Sequence, residues 1–415
     1  MFQGFDETAQ PELGPARLAA LRGEMARDGL DAFVIPRADA HQGEYVAPRD
    51  DRLAWLTGFT GSAGTCIVLA DKAGVFVDGR YRVQVRDQVA PVFTPVDWPE
   101  TSLAEWLTTH LPAGARIGFD PWLMPLETQR DVQLRIGNRR LVSSRNLVDA
   151  IWHDQPEPPL GPIFEQPVPL TGEPREAKLA RIAAALAPAR ATVLTLPDSI
   201  AWLLNIRGRD IPRNPVPHCF AILHDTGALD LFIAPEKCGQ VDLGAFVTCH
   251  APDAFLPALT GLEGPVRIDP ASIPVAVVAI LEEVGCTLSE AADPCILPKA
   301  CKTTAELEGA RAAHLRDGAA MARFLAWLDG QPIGTLTEID VVKRLEEERR
   351  ATNALRDISF DTISGTGPNG AIVHYRVTEA SNRTIQSGDL LLVDSGGQYV
   401  DGTTDITRTL AVGPV

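Results

Sequence analysis

Ser387-Gly388-Asp389-Leu390-Leu391-Leu392-Val393-Asp394-Ser395-Gly396-Gly397-Gln398-Tyr399-Val400-Asp401-Gly402-Thr403-Thr404-Asp405-Ile406-Thr407-Arg408-Thr409 is the stretch from which the rest of the chain is best understood. Leu390 to Val393 has no polar residue, which predicts a strand covered on both faces, and the run closes on a charge at Asp394. Gly396-Gly397 permits a tight reversal, and Asp401-Gly402 a second kink with Asp401 as turn former. Thr403 to Thr409 is β-branched at most positions, so a return strand is expected, with Thr403, Asp405, Thr407 and Thr409 on one face. If the two strands pair, Asp394 and Asp405 converge. Two carboxylates on one apolar patch repel; a shared proton, an Arg partner or bound divalent cations relieve this, and hard oxygen donors favour the cations.

Upstream, Thr303 is placed to N-cap a helix and Glu306 to close a capping box. Met321, Phe324, Leu325 and Leu328 then recur at helical spacing, giving one stripe for a core along Ala305 to Leu328. Further back, Gln155 to Pro169 carries Pro156, Pro158, Pro159, Pro162, Pro167 and Pro169, which predicts an extended linker without helix. These two boundaries divide the chain into 1–155, 156–301 and 302–415.

The first two segments repeat one pattern. Ala54-Trp55-Leu56-Thr57-Gly58-Phe59-Thr60-Gly61 matches Ala201-Trp202-Leu203-Leu204-Asn205-Ile206-Arg207-Gly208. Each match follows an amphipathic helical stretch (Leu18 to Met25; Leu179 to Leu186) and an apolar run (Ala32 to Pro36; Thr192 to Pro197). Each precedes two β-type runs, Cys66 to Ala70 with Val75 to Val77 and Phe220 to His224 with Leu231 to Ile233. Three collinear matches indicate a duplicated α/β unit.

A chain of 415 residues needs several cores. Its formal charge of −16 repels phosphate backbones and anionic membranes, so nucleic acid and membrane surfaces are not expected partners. The longest apolar run, Ile273 to Leu281, is about half of the ~20 residues a bilayer crossing needs. Seven scattered cysteines without a C-x-x-C pair fit a reducing compartment, and the start Met1 to Glu7 lacks the marks of a signal peptide, so a cytoplasmic location is expected.

The run from Asp394 to Thr409, with Ser364-Gly365-Thr366-Gly367-Pro368-Asn369-Gly370-Ala371-Ile372-Val373-His374-Tyr375 before it, closely resembles the catalytic domain of aminopeptidase P in the pita-bread metallopeptidase superfamily. Asp39-Ala40-His41-Gln42-Gly43-Glu44-Tyr45, Gly58-Phe59-Thr60-Gly61-Ser62-Ala63-Gly64-Thr65 and Asp78-Gly79-Arg80-Tyr81 resemble its N-terminal domain, so nearly the whole chain is covered. The resemblance implies two related creatinase-type N-terminal α/β domains followed by a partial pita-bread α+β catalytic domain, the long three-domain form. It implies that Asp394 and Asp405 bind two divalent metal ions, usually Mn2+ in this group, Asp394 on one ion and Asp405 toward both. His374, which alone reads as a core histidine, matches a residue that lines the substrate site and serves catalysis. Arg80 reads first as an ion-pair residue, with a weaker implied role in substrate binding at a partner subunit's cleft.

The implied reaction is metal-assisted hydrolysis of the X-Pro bond of short peptides with proline at the second position, the ions activating a water and polarising the carbonyl. The family often forms dimers, so a homodimer is expected. The family pattern also places one histidine and two glutamates downstream of the aspartates. Residues 1–415 alone are therefore expected to lack the full ligand set, to show little or no peptidase activity and to be poorly soluble. A metal-free creatinase-like amidine hydrolase and a non-catalytic binding protein of the same fold are the competing interpretations; retention of both aspartates argues against each.

Overall fold

The first two thirds of the chain build the same sheet twice. In a computed structural model describing residues 1–239 and 241–415, β1 (Ala32–Pro36), β2 (Thr65–Leu69), β3 (Ala73–Val77), β4 (Thr94–Asp97), β5 (Arg116–Phe119) and β6 (Arg140–Ser143) form a sheet ordered β4-β3-β2-β1-β5-β6. The chain continues through β7 (Phe164–Glu165), β8 (Ala191–Leu194), β9 (Ile206–Arg207), β10 (Phe220–His224), β11 (Leu229–Phe232), β12 (Val247–His250), β13 (Pro265–Ile268) and β14 (Thr287–Glu290). Its second sheet is ordered β12-β11-β10-β8-β13-β14, with β7 and β9 pairing apart. The senses agree too: β1 runs antiparallel to β2 and parallel to β5, as β8 does to β10 and β13. The duplication expected from the A-W-L pattern is thus present strand for strand.

Each sheet is covered on both faces. Phe33, Ile35, Cys66, Val68 and Val75 pack with Leu18 and Leu21 of the helix Gly14–Asp28 and with Leu53 and Leu56 of the helix Arg52–Thr57. Val34, Ile67 and Phe76 face Trp106, Leu107 and Val132 on the other side. In the repeat, Leu194, Ala221 and Leu231 meet Leu179, Trp202 and Leu203, and Val193, Ile222 and Phe232 meet Phe255 and Val277. Gly58 must be glycine: its φ is 89°, and a Cβ would strike backbone atoms of Gln88 and Pro11.

Between the sheets the proline-rich segment is extended as expected up to Pro167, but Val168–Thr171 forms one helical turn. Pro169 is tolerated there because a first-turn residue needs no N–H donor. Ala9–Cys301 is one compact unit; a second comprises Met1–Thr8 and Lys302–Val415.

In the second unit the helix Thr304–Asp329 begins at Thr303 with the expected capping box to Glu306. Its Met321 and Phe324 pack on Val341 and Leu345 of the helix Glu338–Arg350. The strands here are β15 (Leu355–Ile358), β16 (Ile363–Thr366), β17 (Leu390–Ser395), β18 (Gly397–Tyr399) and β19 (Ile406–Ala411). β16-β17-β19 form one antiparallel sheet and β15-β18 another. β17 departs from the expectation of two covered faces. Leu391 and Val393 are buried under the helices, whereas Leu390 is 54% exposed and Leu392 and Asp394 are half-buried. An antiparallel strand packed by helices on one side alternates in this way even when its sequence is continuously apolar.

Among the described residues no helix is long and apolar enough to cross a membrane, and all seven cysteines are free thiols.

Candidate metal centre

The route from Asp394 to Asp405 differs from a simple hairpin. The chain does not reverse at Gly396-Gly397; it passes from β17 into β18, which pairs with β15, and turns back only at Asp401-Gly402, where Tyr399 N donates to Gly402 O at 2.9 Å. Gly396 is required for a close approach: a Cβ there would collide with Thr404 O and Ser359 Oγ. Thr403 contributes an isolated bridge to Gln398, and Asp405 stands just ahead of β19. Asp401 is the turn residue expected, and Arg316 holds it with two hydrogen bonds of 3.0 and 2.9 Å that keep its carboxyl below the usual range.

The two aspartates do converge. β17 and β19 run antiparallel with Asp394 opposite Thr407 and Ser395 opposite Ile406. Thr407 Oγ1 donates to Asp394 Oδ1 at 2.7 Å, fixing that carboxylate. Desolvation pushes the Asp405 carboxyl upward, and the adjacent Asp394, through its charge and a hydrogen bond, pushes it further; Arg349 opposes both. Two like charges therefore stand together without sufficient compensation.

Arg349 supplies little of it, because two of its three guanidinium nitrogens are committed elsewhere. Its guanidinium is 1% exposed and grips Asp317 through Nε–Oδ1 at 2.7 Å and Nη2–Oδ2 at 3.2 Å, while Tyr399 Oη donates to the same Asp317 Oδ1 at 2.7 Å. This buried network ties the helices Thr304–Asp329 and Glu338–Arg350 to the turn that returns Asp405.

His374 lies beyond the 3-10 turn Gly367–Ala371, exposed, with φ 56°. Its loop is organised by Glu338, a fully buried residue absent from the sequence-derived candidates. Glu338 accepts from Thr366 N at 2.7 Å, Asn369 Nδ2 at 3.1 Å, Tyr375 Oη at 3.0 Å and Arg383 N at 3.1 Å. Arg80 forms the ion pair that was its first interpretation: Nε and Nη2 donate to Asp78 at 2.9 and 2.7 Å, and the guanidinium stacks 5.1 Å from the Tyr81 ring. A cavity of about 570 Å³ lies beside β3, lined by Val77, Trp98, Leu103 and Val132, and neither aspartate borders it.

Two N-terminal domain models described as Creatinase/Prolidase match residues 17–151 and 154–306, and Metallopeptidase family M24 matches 308–415. The chain is 36% identical to a probable Xaa-Pro aminopeptidase P of Aspergillus clavatus, over 96% of this chain and 64% of that protein. It is 35% identical to the Aspergillus niger protein of the same description, covering 96% and 68%. A crystal structure of an X-prolyl aminopeptidase from Caenorhabditis elegans, described as a cytosolic enzyme with a di-nuclear active site, superposes with a TM-score of 0.91 at 29% identity, over 97% of this chain and 70% of that one. The chain thus spans somewhat less than two thirds of the length of the Aspergillus clavatus relative.

Proposed function

The chain belongs to the aminopeptidase P (Xaa-Pro aminopeptidase) family, and from that premise we propose that Asp394 and Asp405 hold a pair of divalent cations in a protein that releases the residue preceding proline from the N-terminus of short peptides. The observation that carries this is the juxtaposition of the two carboxylates, with Asp405 pushed up by desolvation and by Asp394, and with Arg349, whose charge opposes that push, engaged with Asp317. Two hard oxygen donors in that state fit divalent cations, manganese foremost, which relieve the repulsion a proton otherwise relieves. When bound, such ions supply Lewis acidity and an activated water at neutral pH.

The chain's own residues act as positioners. Thr407 orients Asp394, and the Asp317–Arg349–Tyr399 network sets the turn that presents Asp405. His374, exposed on a loop anchored by Glu338, is assigned to substrate contact. The three segments 1–155, 156–301 and 302–415 serve as two scaffolding domains and a catalytic one. Proline at the second position lacks an N–H and has a fixed φ, so a dedicated cleft is required. A homodimer and a cytosolic location, the latter as described for the Caenorhabditis elegans relative, complete the proposal.

The test is hydrolysis of a tripeptide with proline in second place by purified protein carrying these residues. Release of the first amino acid should require manganese and be lost in Asp405→Asn, which removes a ligand of the proposed ions. Turnover that persists after chelation and in Asp405→Asn would point to the metal-free amidine hydrolase instead.

A further inference from the structure

We propose that Asp39, Asp50 and His218 form a second, separate metal site, which takes one zinc-like divalent ion and ties the two repeated halves of the N-terminal unit together. Asp39 comes from the loop after β1, Asp50 from the 3-10 turn Pro48–Asp50, and His218 from the segment entering β10. One ligand atom of each lies within 4.8 Å of the other two.

The cluster is built and buried. Asp39 is 2% exposed, and its Oδ1 accepts from the backbone N of His41 at 2.8 Å and of Gly43 at 3.3 Å, which leaves Oδ2 facing His218 Nε2 at 3.2 Å. The His218 segment is pinned in turn: its backbone N donates to Asp210 Oδ2 at 2.6 Å, and Lys237 pairs with the same oxygen at 2.7 Å. The buried His41 ring stacks on Phe220 and lies tilted against His218, each with ring centroids 4.5 Å apart, and its Nδ1 lies 3.1 Å from Thr195 O.

The charge count is the independent observation. Arg52 is shared between Asp50, at 2.9 Å, and Asp149, at 2.6 and 2.9 Å. Asp39, Asp50 and Asp149 therefore set three carboxylates against the one guanidinium of Arg52, which bonds to the last two. A divalent cation offsets what Arg52 leaves over.

One imidazole nitrogen with two carboxylate oxygens matches zinc and its neighbours rather than calcium or magnesium, which prefer oxygen throughout. Tetrahedral ligands of zinc stand roughly 3.4 Å apart, given bonds of about 2.1 Å. The Asp39–His218 pair already has that spacing, and Asp50 has to close by no more than roughly 1.4 Å, within reach of side-chain rotation. The ion would join the first repeat to the second through their loops.

The test starts from the chain with Asp394→Asn and Asp405→Asn, which removes the carboxylates of the proposed catalytic centre. After chelation and dialysis against zinc, elemental analysis should find about one zinc per chain, and His218→Gln should weaken binding at least tenfold. Cobalt in place of zinc should give visible d–d bands without thiolate charge-transfer absorption, a measurement that leaves the cluster itself unaltered should His218→Gln fail to fold. Absence of both zinc and cobalt bands, equal affinity in folded His218→Gln, or cobalt–sulfur absorption from Cys249 or Cys301 would each overturn the assignment. Because the catalytic aspartates are absent in this variant, failure here leaves the peptidase proposal untouched.

Discussion

Asp317 and Asp405 both feel the charge of Arg349, and they answer it in opposite directions. Burial alone would raise Asp317, but the two hydrogen bonds and the charge of Arg349 outweigh it and hold the carboxyl below its usual range. Asp405 is exposed, yet desolvation of its carboxyl and the adjacent Asp394 prevail over Arg349 and push it up. Geometry decides: a cation with its fork closed on one carboxylate reaches a second only as a distant charge. The first aspartate is thereby spent on holding the unit together, and the second is left able to take a ligand.

The largest effect should come from opening the closed pair. Arg349→Met leaves Asp317 buried and unpaired, so urea unfolding should show a loss of about 3–5 kcal/mol, and adding Asp317→Leu should restore most of it. A loss below about 1 kcal/mol would show that Arg349 is not committed as described. Next comes Glu338, a carboxylate satisfied by neutral donors. Glu338→Ala should cost about 2–3 kcal/mol, the penalty for donors left unpaired. Hydrogen exchange should accelerate at Thr366 and Arg383, whose backbone amides it receives, and unchanged protection there would contradict the anchoring role assigned to it.

A smaller effect isolates the aspartate pair. Because the folded-state pKa of Asp405 is raised, its contribution to stability is fully present below the unfolded carboxylate value near 3.9 and is lost as pH rises through the higher folded value. In chelator, Asp394→Asn should reduce that pH dependence, leaving the part due to desolvation, and change stability at neutral pH by less than about 1 kcal/mol. An unchanged slope between pH 3.5 and 6.5 would mean that the two carboxylates do not interact. The smallest effect belongs to Arg80→Lys, where a partly exposed ion pair should cost well under about 1 kcal/mol.

What the sequence disclosed follows from how local each signal is. The repeat was legible because the A-W-L pattern sits on a short helix that packs under the same strands in both halves. Asp394 and Asp405 were legible because a charge closing an apolar strand and another heading a threonine-rich one have no turn-forming role. The insertion of β18 was hidden, since Gly396-Gly397 has the composition of a hairpin turn and only the backbone of Thr404 and the hydroxyl of Ser359 reveal why glycine stands there. Arg349 and Glu338 were hidden differently. Both belong to a charged helix, Glu338–Arg350, whose composition reads as a solvated face, and their partners at Asp317 and Tyr375 lie 32 and 37 residues away. The Asp39–His218 contact joins two halves of a duplication, so no local pattern announces it.

The most direct test is manganese titration of the chain followed through the backbone amide resonances. Paramagnetic broadening centred on Asp394, Asp405 and Thr407, and lost from those residues in Asp405→Asn, is the predicted result. Amides at these three positions that stay sharp in saturating manganese, or broaden equally in Asp405→Asn, would contradict the assignment of the aspartate pair as a metal centre.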